Sequence, residues 1–152
     1  MEANIKLMGF IQPYDKRIQE LTIQLRDYVV NLVPEANELI WDNYNAVAMA
    51  YSKSEKLKDA FCHISVYAKH VNFGFNRGAE LKNNNVKLEG KGKLIRHISL
   101  TAFESFPKEA MEKMIWDAVE ISEKYNTDLC EKQTPGKSLV MSVSEKKIRP
   151  MK

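Results

Sequence analysis

The stretch FCHISVYAKHVNFGFN, residues 61–76, decides the fold because its pattern predicts a β-hairpin. Side chains of opposite polarity alternate on both sides of residues 67–70, which is the two-residue period of a strand. A four-residue loop at 67–70 places three apolar pairs on one face: Val66 with Val71, Ile64 with Phe73, and Cys62 with Phe75. A shift of one residue would put Asn72 and Gly74 against the apolar set, so we reject it.

Elements on the N-terminal side of this hairpin follow from changes in period. The first regular element is expected after Pro13, where apolar residues recur at spacings of three and four and predict a long helix: Ile18, Leu21, Leu25, Tyr28, Val29 and Leu32. Pro34 ends that helix and can open another, so residues 35–44 are predicted to form a second, short helix. Residues 46–52 alternate small and large side chains and predict a strand.

Three further elements are expected after the hairpin. Residues 93–100 have strand character, and a second long amphipathic helix begins near Pro107. The tail, residues 127–152, contains a linker and an edge strand at 138–144. We therefore predict one α+β domain over residues 1–152, with its core at about 13–126 and an antiparallel sheet packed against N-terminal and C-terminal helices.

Composition excludes several classes of protein. The 152 residues are 44% hydrophobic and 28% charged, which is typical of a globular domain and not of a disordered chain. No apolar run reaches the roughly 20 residues of a membrane span, and MEANIKLMGFIQ (1–12) does not resemble a secretory signal. Cys62 and Cys130 are too few for a disulfide framework, so reduced thiols and a cytoplasmic location are expected.

Catalytic motifs are missing from the sequence, and we expect a protein that is not an enzyme. GKGKLIRH (90–97) lacks the spacing of a phosphate loop and leads into a strand rather than a helix. Cys62 belongs to the apolar set of its strand, where a thiol packs as a small hydrophobe. Cys130 has no neighbouring residue that would activate it.

Two histidines and a set of glutamates are the candidates for a metal site. His63 and His97 both project from the polar side of their strands, and Glu109 and Glu112 lie on one face of the second long helix. Together these four side chains could hold a cation such as iron. The alternative interpretation is a solvated sheet face and a solvated helix surface, because histidine pairs without a carboxylate or thiolate make a poor metal shell.

Basic residues of the loop and tail are the candidates for an anion-binding site. If the two segments converge, one positive patch would form from Arg77, Lys91, Lys93, Arg96, Lys147 and Arg149. Such a patch could take a nucleic acid or a phosphorylated ligand. However, the net charge of +3 is far below that of a dedicated nucleic-acid binder, and no aromatic residues interleave as base-stacking platforms. Charge that only maintains solubility is the alternative.

The region after the hairpin resembles the YdhG-like family of bacterial domains. These carry a strand ending in Phe-x-x-Gly-x-x-Leu, a Leu-x-Gly-x-Gly-Lys turn and an Arg-containing strand, and the matching residues here are Phe75, Gly78, Leu81, Leu88, Gly90, Gly92, Lys93 and Arg96. The likeness extends from the first long helix to the last. It implies an α+β sandwich without established catalysis.

A function follows from this resemblance only as an expectation. One branch of the family is described as a frataxin-like iron chaperone, which implies iron as the cargo. The leading hypothesis is therefore a cytoplasmic YdhG-like binding domain that handles iron, with no certain cofactor. The alternative is an adaptor for an anionic partner through the basic loop and tail. A protein partner, or a second copy pairing at the edge strand, also stays open.

Overall fold

The computed structural model describes residues 1–82, 85–148 and 150, and it has an α+β fold. Three α-helices lie in these ranges: α1 (Ile5–Ile11), α2 (Lys16–Leu32) and α3 (Lys108–Tyr125). The two long helices confirm the predictions from apolar spacing. None of the helices in these ranges has the length and apolar character that a membrane-spanning helix needs.

Six strands in the described ranges form one mixed sheet. They are β1 (Asn37–Asp42), β2 (Val47–Ser52), β3 (Ala60–Val66), β4 (Val71–Phe75), β5 (Arg96–Leu100) and β6 (Ser138–Val143). Their order is β5-β4-β3-β2-β1-β6, and four of the five neighbouring pairs are antiparallel. The edge strand predicted in the tail is present as β6, but it pairs with β1 in parallel, which corrects the fully antiparallel sheet that we expected.

The β3–β4 hairpin has the predicted register. Cys62 pairs with Phe75, and Ile64 pairs with Phe73. The loop closes with a hydrogen bond of 3.0 Å from the Tyr67 amide to the His70 carbonyl. Ile64 and Phe73 are fully buried, so the apolar face of the hairpin forms part of the core.

The core lies between the helices and one face of the sheet. Buried side chains of β2, β3 and β4 share a single hydrophobic cluster with those of α2 and α3. The cluster also includes Leu7 and Ile11 of α1, which lie outside the predicted core boundaries. This short helix was missing from the prediction because it contributes only those two buried residues. The Asn4 side chain caps it by accepting a hydrogen bond of 2.9 Å from the Lys6 amide.

The prediction of a short helix at 35–44 was wrong, because most of that segment forms strand β1. β1 lies between β2 and β6. Leu39 and Ile40 point to opposite faces and are both buried, and Trp41 is half-buried, so the apolar residues are consecutive instead of alternating. A consecutive apolar run fits a helix as well as a buried strand. The pairing with β2 sets the two faces: Ile40 lies opposite Met49 in the core, and Trp41 lies opposite Ala48 on the other side.

A polar network joins the N-terminal segment to four elements inside the core. The Arg26 guanidinium of α2 donates to both carboxylate oxygens of Glu38 in β1, at 3.0 and 2.9 Å. Glu38 also accepts from the hydroxyls of Tyr51 in β2 and Ser138 in β6, both at 2.8 Å. Arg26 and Glu38 are fully buried, so these bonds replace the solvation that both charges lose. Burial, together with the charge of Glu38, raises the pKa of Tyr51, which therefore stays a neutral donor.

Candidate functional site

The sheet face opposite the helices brings the two strand histidines into one row. His63 of β3 pairs with Gly74 of β4, and Gly74 pairs in turn with His97 of β5. The two imidazoles therefore flank a glycine and share the polar face that the alternation in sequence predicted.

His63 is held in position by its neighbours. Its Nδ1 lies 3.0 Å from Asn76 Oδ1. A Cβ atom at position 74 would lie only 2.4 Å from His63 Nε2, so glycine is needed for the ring to rest against β4. Burial lowers the pKa of His63; the hydrogen bond to Asn76 opposes this shift, and the charge of His97 adds to it. His63 is therefore neutral near pH 7. Its proton lies on Nδ1, which donates to Asn76 Oδ1.

The four predicted metal ligands do not come together. His63 and His97 lie on the sheet face away from the helices, whereas Glu109 and Glu112 lie on α3 and line a surface cleft between α2 and α3. The Glu89 carboxylate lies near His97 instead, with its Oε2 3.9 Å from His97 Nε2. Over the described residues, no group of three or more His, Cys, Asp or Glu side chains could hold a metal ion. The sheet itself therefore separates the predicted set.

A groove of about 320 Å³ opens on the same face beside His63. We call it the open-face groove, and it is lined by Trp41, Asn43, Ala48, Met49, Ala50, Leu57, His63, Ser65, Asn76 and Ile95. Leu57 and Ile95 are 53% and 51% exposed, although both are large and apolar. Among residues 1–82, 85–148 and 150, no charged side chain belongs to this lining.

The strand register explains the shape of the open-face groove. One row across the sheet runs from Trp41 through Ala48 to Ser65, and the next row includes Ala50 and His63. The two alanines of β2 leave a trough between the larger side chains of β1 and β3. Because neighbouring strands are about 4.8 Å apart, the backbones that carry Trp41 and Ser65 are separated by roughly 10 Å.

Two polar groups of the open-face groove have no hydrogen-bond partner in the part of the chain that the structure describes. Within the described ranges, neither the Trp41 indole N–H nor the Ser65 hydroxyl makes a hydrogen bond with another protein group. Both are half-buried, and both belong to the row that crosses Ala48. They are thus a donor and a donor–acceptor that a bound molecule could satisfy.

Sequence reasoning found part of this groove. It placed His63, Ser65 and Asn76 on one polar face, but it assigned Trp41 to a helix and did not single out Leu57 or Ile95. The alternation of small residues at Ala46, Ala48 and Ala50 was the signal that could have located the trough, once β1 was recognised as its neighbour.

Two of the predicted anion-binding arginines are engaged within the protein. Arg77 forms an ion pair of 2.7 Å with Glu80 and lies 3.8 Å over the Tyr125 ring. Arg96 donates from Nη1 to the carbonyl oxygens of Gly92 and Ile95, each at 2.7 Å. Neither guanidinium is left to recognise an anion with its full set of donors.

The basic loop and tail do not converge. Lys147 pairs with the buried Asp42 of β1 at 2.6 Å, whereas Lys91 and Lys93 precede β5 at the other end of the sheet. Four strand spacings separate β1 from β5, or roughly 19 Å. Lys91 and Lys93 are exposed, and Arg149 lies outside the described residues. The described basic residues therefore do not form the single positive patch that we expected: Lys147 lies beside β1, and Lys91 and Lys93 precede β5.

The two cysteines are free thiols without activation. Cys62 is fully buried in the core, as its place in the apolar set predicted, and burial raises its pKa. Cys130 is exposed, and a hydrogen bond to Glu123 is the main cause of its raised pKa. Both shifts disfavour the nucleophilic thiolate.

No family model matches this chain, and no curated protein or solved structure is significantly similar to it.

Proposed function

We propose that this protein is a non-enzymatic, YdhG-like binding domain and that its ligand site is the open-face groove. The observation that carries the proposal is a groove of about 320 Å³, lined by no charged side chain of the described residues, on the sheet face opposite α2 and α3. That volume lies in the range of small-molecule sites, which combine an apolar lining with a few polar groups that fix orientation. Trp41, Leu57 and Ile95 supply the apolar surface, and Ser65 supplies a polar group.

The resemblance supports this proposal in part. An α+β domain with its helices on the sheet is what the YdhG-like motifs imply. The iron-chaperone role stays a prediction. Anaerobic titration of the protein with ferrous iron tests it, and a Kd no tighter than the millimolar range would refute it. We do not propose an iron site at His63, His97, Glu109 and Glu112, because the histidines and the glutamates lie on opposite sides of the sheet. The cytoplasmic location also stays a prediction.

The test of the groove is a nuclear magnetic resonance titration with indole as the probe. Each tryptophan gives one indole N–H signal in a spectrum of the ¹⁵N-labelled protein, and Trp116→Phe identifies the signal of Trp41. A fragment of this size is expected to bind with a Kd of roughly 0.1–1 mM. The Trp41 signal should shift and saturate, while that of Trp116, which lies on α3, should stay in place.

A variant that fills the trough provides the control. Ala48→Leu adds a side chain on the open face between Trp41 and Ser65 and should abolish the shift of Trp41 with indole. Ser99→Leu makes a similar change on the same face in β5, outside the groove lining, and should leave binding unchanged. Equal loss in both variants, or no shift in the parent protein up to about 5 mM indole, would refute the proposed site.

A further inference from the structure

We infer that the ligand of the open-face groove is a small, neutral, aromatic molecule that carries one hydrogen-bonding group. This inference rests on the proposed function and narrows it to a class of ligand. It depends on three features of the groove: the charge of its lining, the ring systems that line it and the Ser65 hydroxyl, which has no hydrogen-bond partner among the described residues.

The lining accounts for the neutrality of the ligand. Charged residues make up 28% of the chain, yet none of those that the structure describes lines the groove. His63 is the one lining side chain that titrates near neutrality, and its lowered pKa keeps it uncharged. A charged ligand would lose hydration on entering the groove without gaining a counter-ion, so a neutral molecule is favoured.

The two ring systems account for the aromatic character. Trp41 of β1 and His63 of β3 lie on opposite sides of the alanine floor formed by β2. Aromatic rings contact each other favourably in offset or edge-to-face geometry, beyond the contribution of buried area. Both rings line the same groove, although the His63 imidazole rests against Gly74 of β4. A flat aromatic ring in this groove would stack on Trp41, and a bulkier aliphatic molecule fits such a contact less well.

The polar groups account for the single hydrogen-bonding function. Ser65 lies across Ala48 from Trp41, and its hydroxyl can either accept or donate. A ligand N–H or O–H at the β3 side of the trough can therefore bond to Ser65. Asn76 is already engaged with His63 at 3.0 Å, so it contributes less to recognition.

Four probes test the class of ligand in the same titration. They are indole, indole-3-acetate, tryptamine and cyclohexanol, which compare a neutral aromatic with an anionic aromatic, a cationic aromatic and a neutral aliphatic molecule. Indole should bind at least about fivefold more tightly than each of the others. Ser65→Ala should weaken indole about 3- to 10-fold, which corresponds to one lost hydrogen bond. The exposed Ser99→Ala is the matched control and should change nothing.

The outcomes separate this inference from the proposed function. Preference for indole, together with the Ser65→Ala loss, supports both. If a charged probe or cyclohexanol binds at Trp41 as tightly as indole does, or if Ser65→Ala binds indole normally, the ligand class is wrong although the groove is a binding site. If none of the four probes shifts the Trp41 signal, the proposed function fails and the inference fails with it.

Discussion

Replacing Arg26 with methionine is expected to destabilise the protein more than any exchange of a surface charge. The guanidinium makes two bonds to Glu38, one of 2.8 Å to the Met1 carbonyl and one of 3.0 Å to Asp27. Methionine fills most of the volume but leaves the Glu38 carboxylate buried without a cation. Removal of one partner from a buried ion pair costs about 3–5 kcal/mol of unfolding free energy.

Removal of the other charge of the pair, in Glu38→Gln, should lower the unfolding free energy less than Arg26→Met does. The difference comes from the neighbours of the two side chains. Arg26 keeps a second carboxylate, because Asp27 lies 3.0 Å away and is 51% exposed. Glu38 has no second cation among the residues that the structure describes. Loss of charge-assisted hydrogen bonds alone predicts about 1.5–3 kcal/mol for Glu38→Gln.

Urea unfolding, followed by circular dichroism, measures both changes. Domains of this kind unfold with about 5–15 kcal/mol, so Arg26→Met should remain folded but with a clearly lower midpoint. Lys113→Met is the control, because it breaks an exposed pair with Asp117 of 2.8 Å and should cost less than about 1 kcal/mol. If Arg26→Met costs no more than this control, or less than Glu38→Gln, the reasoning about the buried pair is refuted.

Three further predictions concern the open face and the C-terminal segment. The pKa of His63 is lowered in the folded protein, so the unfolded chain binds the proton more tightly. The unfolding free energy should therefore fall as the pH drops below about 6.5, and it should fall less in His63→Gln. An equal pH dependence of the urea midpoint in both proteins would contradict this. Gly74→Ala should displace the His63 ring, which would shift its imidazole resonances, and should lower the unfolding free energy by about 1 kcal/mol. Unchanged imidazole resonances would contradict the contact. In Gly136→Ala the added Cβ atom would clash with the carbonyl oxygen of Ala36. The unfolding free energy should fall by about 1–3 kcal/mol, and amide hydrogens of β6 should exchange faster. Unchanged exchange in β6 would contradict the clash.

Elements with a single solvent-facing side could be predicted from the sequence. The long helices α2 and α3 each bury one apolar stripe, so the period of three to four residues is visible along the chain. The β3–β4 register follows from three apolar pairs, of which Ile64 with Phe73 is the central one. The shared open face of His63 and His97 follows from the same alternation.

Other features depended on contacts between distant parts of the chain. β1 is a strand because it pairs with β2 on one edge and β6 on the other. It has buried residues on both faces, which removes the alternation that sequence reasoning uses. β6 runs parallel to β1 because of the path that the chain takes from the end of α3 back to the sheet. No local sequence pattern encodes that direction.

Local sequence therefore determined the two long helices, the β3–β4 hairpin and the side of the sheet on which the hairpin residues lie, since periodicity is a property of consecutive residues. Tertiary structure alone decided the partners of those faces. It brought Trp41 across Ala48 from Ser65, placed Arg26 on Glu38, and kept Glu109 and Glu112 away from the histidines. The physical reason is that strand order and helix packing are fixed by burial of the whole core, to which every element contributes at once.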